Sequence, residues 1–390
     1  MKSPAETRNF WLLAALGSLV TAIGLGAWHY MEVHGHIVTG MDNQVVWGLP
    51  HVFAIFMIVS ASGVLNIASI GSVFGQSAYK PRAPLSGLLC VALLMGGLMV
   101  LMLDLGRSDR IIVAATHFNP TSVFAWNIIL YSGMVGIVAV YLFTMMERRF
   151  NPYSKHAGLA AFVWRFILTT GTGSIFAFLV ARQAYQSALL APLFIVLSFG
   201  WGLAVFLLVQ SSMFAWTKRH LTPKVERRMA KLLGIFIAAS LYLVAVYHFT
   251  NLYYARQTAF EAFILRDGGV FPQLFWLGYV VIGSLIPLAL LFHPAMAGEK
   301  STAIASVLVI LGALAWLFVF IVGGQSFPLD IFPGHVVTSS FGDGQIAHYT
   351  PSLPEFLLGV GGVGTAFLLT IVGIRALNYM PPDDYIAPQA

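Results

Sequence analysis

The sequence has a single cysteine, Cys90, in 390 residues, and only 9% of its residues are Asp, Glu, Lys or Arg. One thiol excludes an intramolecular disulfide, and it excludes a cysteine-ligated zinc site or an all-cysteine iron–sulfur cluster built by this chain alone. Lying in a hydrophobic run, Cys90 reads as a small packing residue. So few charges against 58% hydrophobic residues exclude a water-soluble globule of this length. A glycine-rich phosphate loop and a serine-nucleophile elbow are also missing, so soluble-type chemistry has no basis in the sequence. No internal repeat is evident: Trp47-Gly48 recurs as Trp201-Gly202, but the flanking residues differ.

What fills the chain is long apolar runs. A helix crossing a bilayer needs about 20 such residues. Ten runs meet that length, near 10–28, 47–74, 85–105, 122–146, 158–182, 187–214, 232–254, 271–292, 302–323 and 353–377. The expectation is an all-α, polytopic membrane helix bundle forming one integral domain. The first run follows Lys2 and Arg8 as a signal peptide would, but Trp28-His29-Tyr30 offers no small-residue cleavage site, so it reads as a retained helix.

The loop charges set an orientation. With the N-terminus in the cytoplasm, the inner loops and ends collect Lys2, Arg8, Lys80, Arg82, Arg148, Arg149, Lys155, Lys218, Arg219, Lys224, Arg227, Arg228, Lys231, Lys300 and Arg375. The outer loops keep Arg107, Arg110, Arg182, Arg256 and Arg266. Fifteen against five places both termini inside. The pI near 9.4 therefore reflects membrane orientation and not nucleic-acid binding. The expected location is a bacterial cytoplasmic membrane, with lipid as the first partner.

That orientation gathers polar groups at one rim. The second span enters from outside at Trp47, which puts His51 about 6 Å below the rim at 1.5 Å per residue. The third span starts at Leu85 and reaches Asp104 after about 29 Å of helix, again at the outer side. Arg107 and Arg110 follow, the loop adds His117, and the fourth span carries Asn127 and Tyr131 four residues apart on one face. Oxidation of a quinol would need a proton acceptor near an aqueous exit and a polar group holding the quinone oxygen. An imidazole suits the first role, and a carboxylate can pass the proton on or fix the tautomer. His51 and Asp104 are the candidates for proton transfer. Trp47, Arg107, His117, Asn127 and Tyr131 are further candidates for holding the ligand. The plainer alternative pairs Asp104 with Arg107 as a helix-end clasp.

Other polar marks read more simply. Arg165 reads as snorkelling from the fifth span to the inner surface. His248, Asn251 and Arg256 could border the same cavity, while Tyr242, Tyr247, Tyr253 and Tyr254 resemble an interfacial belt. His29, His34 and His36 lack a supporting metal-ligand set. The 324–352 loop, with Asp330, His335, Asp343 and His348, is long enough to dock a partner.

WGLPHVFAIF, the run Ser60-Ala61-Ser62-Gly63, and Asp104-Leu105-Gly106-Arg107 closing the third span resemble the NrfD/PsrC family of quinone-interacting membrane subunits. The likeness is sharpest over 40–150. The wording of 41–75 and ten spans in place of eight are most similar to the DsrP branch, the membrane subunits of DsrMKJOP complexes of dissimilatory sulfur metabolism. The resemblance implies a membrane subunit that is not a complete enzyme alone. It implies quinone or quinol (menaquinone or ubiquinone) as cofactor, with no haem or iron–sulfur cluster in this chain. It also implies an extracytoplasmic ferredoxin-like iron–sulfur partner, with other membrane and cytochrome subunits. Some relatives carry a histidine within the small-residue segment of the second span, where this chain has Ser60-Ala61-Ser62-Gly63, which leaves His51 as the nearest imidazole. A secondary transporter and a haem b cytochrome are the competing readings.

Overall fold

The structure is a computed structural model that describes residues 4–217, 223–296, 298–329, 334 and 344–377. Among the described residues all regular structure is helical. Ten helices are long and apolar enough to span a membrane. They are α1 Pro4–His34, α2 Leu49–Ser72, α3 Ala83–Leu103, α4 Val123–Met146, α5 Ser154–Ala177, α6 Leu190–Thr217, α7 Pro223–Tyr253, α8 Val270–Phe292, α9 Glu299–Ser326 and α10 Leu353–Leu377. Short helices Ile111–Thr116 and Thr258–Ala262 lie in the loops after α3 and α7.

Each helix begins and ends for local reasons. Pro50 and Pro84 occupy the first turns of α2 and α3, where the missing N–H costs no hydrogen bond. Asp104 closes α3, and Gly106 at φ 70° takes the left-handed conformation that turns the chain away.

Helices α2 to α5 pack together as one group of four, and α6 to α9 as another. The groups meet at α2 and α6, which with α3 are the most buried of the spans. Their backbones touch at Gly63 and Gly202: a Cβ on Gly63 would strike the Ser198 carbonyl, and one on Gly202 would strike the Gly63–Val64 peptide. With no hydrophobic drive between helices in lipid, such close contact is what brings spans together. Helices α1 and α10 pair through Gly24 and Gly361, and α10 lies on α3 at Gly96 and Gly362.

Three of the boundary differences from the sequence reading move polar residues. Helix α5 stops at Ala177 and not at 182: the chain turns so that Gln183, Ala184 and Tyr185 are buried and Arg182 donates to the Gln44 and Gln325 carbonyls at 2.7 and 3.0 Å. Helix α7 starts at Pro223, so Lys224, Arg227, Arg228 and Lys231 ride on its first turns. Helix α1 runs to His34, so His29 and His34 are helical, and His34 Nδ1 contacts the Tyr30 carbonyl at 2.9 Å. Lys218, Arg219, Asp330, His335 and Asp343 fall outside the described residues.

Arg165 does not snorkel. It is buried in the middle of α5, where Nη1 donates to Asn66 Oδ1 at 2.6 Å. Phe162, Phe166 and Phe199 lie 4.9, 4.7 and 5.4 Å from the guanidinium. A ready acceptor and three aromatic faces hold the charge where it is, without a reach to the surface.

Candidate functional site

Odd-numbered spans all end on one side of the bundle, which brings the start of α2 beside the end of α3. There His51 Nδ1 lies 2.7 Å from Asp104 Oδ2. The imidazole is 11% exposed and the carboxylate 0%. The contact is short but off the hydrogen-bond axis, and neither Asp104 oxygen has an aligned donor. A buried carboxylate left in that state is costly, and such groups call for an explanation beyond packing.

The other face of the imidazole opens on a cavity of about 550 Å³. That volume is typical of a site for a small organic molecule. Because Nδ1 faces Asp104, Nε2 is the nitrogen left for a ligand. Trp47 stacks beside His51, with ring centroids 6.1 Å apart at 29°, and is itself wedged by Phe124 and Phe176. Asn127 and Tyr131 complete the polar lining. Asn127 Nδ2 donates to the Val123 carbonyl at 2.8 Å, while its buried Oδ1 has no hydrogen-bond partner. A hydroxyl-bearing ring in this cavity would meet two acceptors, His51 Nε2 and Asn127 Oδ1. Arg107 and Arg110 sit at the mouth.

Six of the seven sequence candidates are therefore assembled here: Trp47, His51, Arg107, Asn127 and Tyr131 line the cavity, and Asp104 stands behind His51. His117 does not join them; it is exposed and contacts Thr116 Oγ1 at 2.9 Å. The Asp104–Arg107 clasp is not formed either. The Gly106 turn sends Arg107 outward, where it makes a two-point pair with Asp109 at 3.0 and 2.9 Å, and Asp104 is left facing His51.

Tertiary contacts hold this rim in place. Gln325, on the last turn of α9, accepts the Val46 and Trp47 N–H groups through Oε1 and donates to the Trp47 carbonyl, all at 3.0 Å. Tyr349 Oη accepts the Leu49 N–H at 2.7 Å and donates to buried Glu355 at 2.8 Å. Burial, and then the Glu355 charge, hold the Tyr349 phenol far above its usual range, so it stays a donor. Sequence reasoning missed Gln325 and Tyr349 because the backbone groups they hold lie about 280 to 300 positions away, and Glu355 because it accepts from Tyr349 and from the Gly40 N–H, 315 positions away.

His248 and Asn251 do not border the cavity. His248 Nδ1 meets Glu261 Oε2 at 2.7 Å, and Asn251 Nδ2 donates to Glu261 Oε1 at 2.7 Å. Tyr247 is buried with its hydroxyl on the Ala184 carbonyl, so only Tyr242, Tyr253 and Tyr254 form an exposed belt.

The polysulphide reductase NrfD family model matches residues 37–329, the segment that contains α2 to α9. The chain is 30% identical to an Hdr-like menaquinol oxidoreductase integral membrane subunit of Archaeoglobus fulgidus over 384 residues, 97% of this chain and 96% of that protein. It is 28% identical to a putative dimethyl sulfoxide reductase membrane subunit of Halobacterium salinarum, over 96% of this chain and 91% of that protein. It is 23% identical to a polysulfide reductase component of Wolinella succinogenes, over 73% of this chain and 96% of that protein. Together with the ten spans and the rim they carry, these matches place the chain in the polysulphide reductase NrfD family.

Proposed function

We propose that this chain is the quinone-interacting membrane subunit of a redox complex, and that it exchanges electrons between membrane quinol and an iron–sulfur partner outside the cytoplasmic membrane. The observation that carries the reading is the His51–Asp104 pair opening on an apolar cavity with an unpartnered Asn127 acceptor. Quinol oxidation releases two protons with two electrons. His51 Nε2 is placed to accept one hydroxyl proton, while Asp104 fixes the ring and offers the next acceptor toward the rim. Asn127 Oδ1 orients the second hydroxyl, and Trp47 closes the ring face.

The menaquinol oxidoreductase relative favours menaquinol. The loop charges favour an N-in, C-in orientation with His51 on the outer side. Reporter fusions after residues 40 and 115 should then be active only outside the cytoplasm, and those after 80 and 152 only inside. Ten spans and the 41–75 segment favour a DsrP-like complex with cytochrome and further membrane subunits. A transporter would pair broken helices in its two halves. Among the described residues the three π-helical segments, Phe263–Asp267, Leu274–Leu285 and Val319–Gly323, all lie in the second half, which disfavours that reading.

The test uses the intact complex from native membranes. His51→Ala should lower quinol-dependent electron transfer by about 10² to 10⁴, the usual worth of a proton-transfer group. Lys155→Ala, exposed at the far end on α5, should change little. Full quinol turnover in assembled His51→Ala complex would remove the cavity from the mechanism.

A further inference from the structure

The cavity beside His51 is closed toward the bundle interior by Ile55, Ile175, Phe176 and Ile321, all buried. Its opposite wall consists of two stripes. Leu98, Leu101 and Met102 run down one face of α3 with Leu105 just past its end, and Phe124, Ile128 and Ser132 run down one face of α4. Spacings of three and four residues on α3, and of four and eight on α4, keep each stripe on a single face. None of these seven is buried: Met102 is 39%, Phe124 49% and Leu105 54% exposed, and Ser132 is exposed as well.

At 1.5 Å per residue the α4 stripe is about 12 Å long and the helical part of the α3 stripe about 6 Å. Ser132 lies nine residues beyond Val123, the first residue of α4, which puts the lower end of the slot about 14 Å along that helix. At that depth a slot in the bundle surface meets acyl chains and not water.

We propose that the slot between α3 and α4 is the lateral portal of the cavity, and that the isoprenoid tail of the quinone lies in it. The proposal rests on the quinone reading of the cavity. A cavity of about 550 Å³ cannot enclose a ring together with a long polyisoprenoid chain, so the tail must leave. The interior walls are buried, and the rim at Arg107 and Arg110 is charged and would press an apolar chain toward water. The slot is the way out that two spanning helices line almost wholly with apolar, unburied side chains; Ile111 and Ala114 line the cavity too, but in the loop beside the charged Arg107 and Arg110. Ser132 is its single polar side chain and its narrowest substituent. The portal therefore selects a flexible apolar chain, leaving ring identity to His51, Asn127 and Tyr131. Small tail-less quinols retain the rim as a separate way in.

The test uses the intact complex in liposomes, with a long-tail menaquinol in the bilayer and a tail-less water-soluble naphthoquinol. Ser132→Trp and Leu101→Trp should each lower kcat/KM for the long-tail quinol by roughly tenfold, the equivalent of about two buried methylene groups. They should lower it far less for the tail-less quinol, and Lys155→Trp, exposed at the far end on α5, should change neither. Equal losses with both quinols, or a loss with neither, overturn the portal. A second arm needs no variant: a quinone carrying a photoreactive group near the start of its tail should label peptides containing 98–105 and 128–132. Labelling confined to other helices overturns the proposal. His51→Ala separates the two ideas, because it should lower turnover of both quinols. If it lowers neither, the quinone reading fails whatever the tryptophan variants do.

Discussion

Two carboxylate–imidazole pairs stand at the same end of this bundle with the same dimensions. His51–Asp104 and His248–Glu261 are each 2.7 Å apart, and in each the imidazole is 11% exposed and the carboxylate 0%. Their surroundings differ. Glu261 has both oxygens engaged, by His248 and Asn251, and the His248 ring is packed edge-on by Tyr247 and Phe275 at 5.0 and 4.8 Å. Asp104 has no aligned donor, and His51 faces a cavity. Distance and burial alone would rank the two pairs equal. What separates a reactive pair from a clamp is whether the remaining lone pairs are already spoken for. By that measure His248–Glu261 ties the short helix Thr258–Ala262 to α7, while the lone pairs of Asp104 stay open beside His51.

The sharpest way to break the comparison is to remove one acid at a time. Asp104→Asn should lower quinol-dependent turnover by about 10² to 10⁴ with complex assembly intact, whereas Glu261→Gln should leave turnover within a few-fold of wild type. Comparable turnover losses in both would mean that the second pair also moves protons.

Stability should follow the reverse order. His248→Ala strips a partner from a saturated buried carboxylate and should cost about 1 to 3 kcal/mol, read as a lower Tm of the detergent-solubilised protein. His51→Ala should cost less, since Asp104 already lacks aligned donors. A smaller effect is expected at Asn127. Asn127→Leu removes an acceptor that no protein group uses, so KM for quinol should rise by about tenfold, with kcat and Tm nearly unchanged. Smallest of all, Arg107→Ala breaks an exposed pair with Asp109 and should alter stability by less than about 1 kcal/mol. A large loss of quinol binding in that variant would show that the mouth, and not only the cavity floor, recognises the ring.

The ten spans were legible because a bilayer demands length and apolarity, and those are properties of consecutive residues. The His51–Asp104 pair was legible for a related reason: span lengths and alternation place both at one rim, although 53 positions separate them. Where the chain forms structure outside the apolar runs, the reading failed. Helix α7 begins nine residues before its hydrophobic run, because Lys224 to Lys231 form helix without being apolar. Glu261 lies between runs, flanked by Ala259, Phe260, Ala262 and Phe263, and nothing in its local pattern points to His248. Arg165 reads as a snorkelling residue only until Asn66 and three phenylalanines, brought from other turns and helices, are seen around it. Partners of that kind are set by tertiary contact, which hydropathy does not encode.

The same buried arginine has a consequence for how the protein is made. A charge at the centre of a span raises its insertion cost by about 2.5 to 3.5 kcal/mol, and α5 is also the least hydrophobic of the ten spans. Alone in the translocon, α5 would be a marginal passenger. Its acceptor, Asn66, arrives earlier on α2, which means α2 must still be within reach when α5 emerges. Biogenesis thus acquires an order: the helix that carries His51 is held at the insertion site until the fifth span claims it, and the cavity receives its last wall, Ile321, only when α9 arrives.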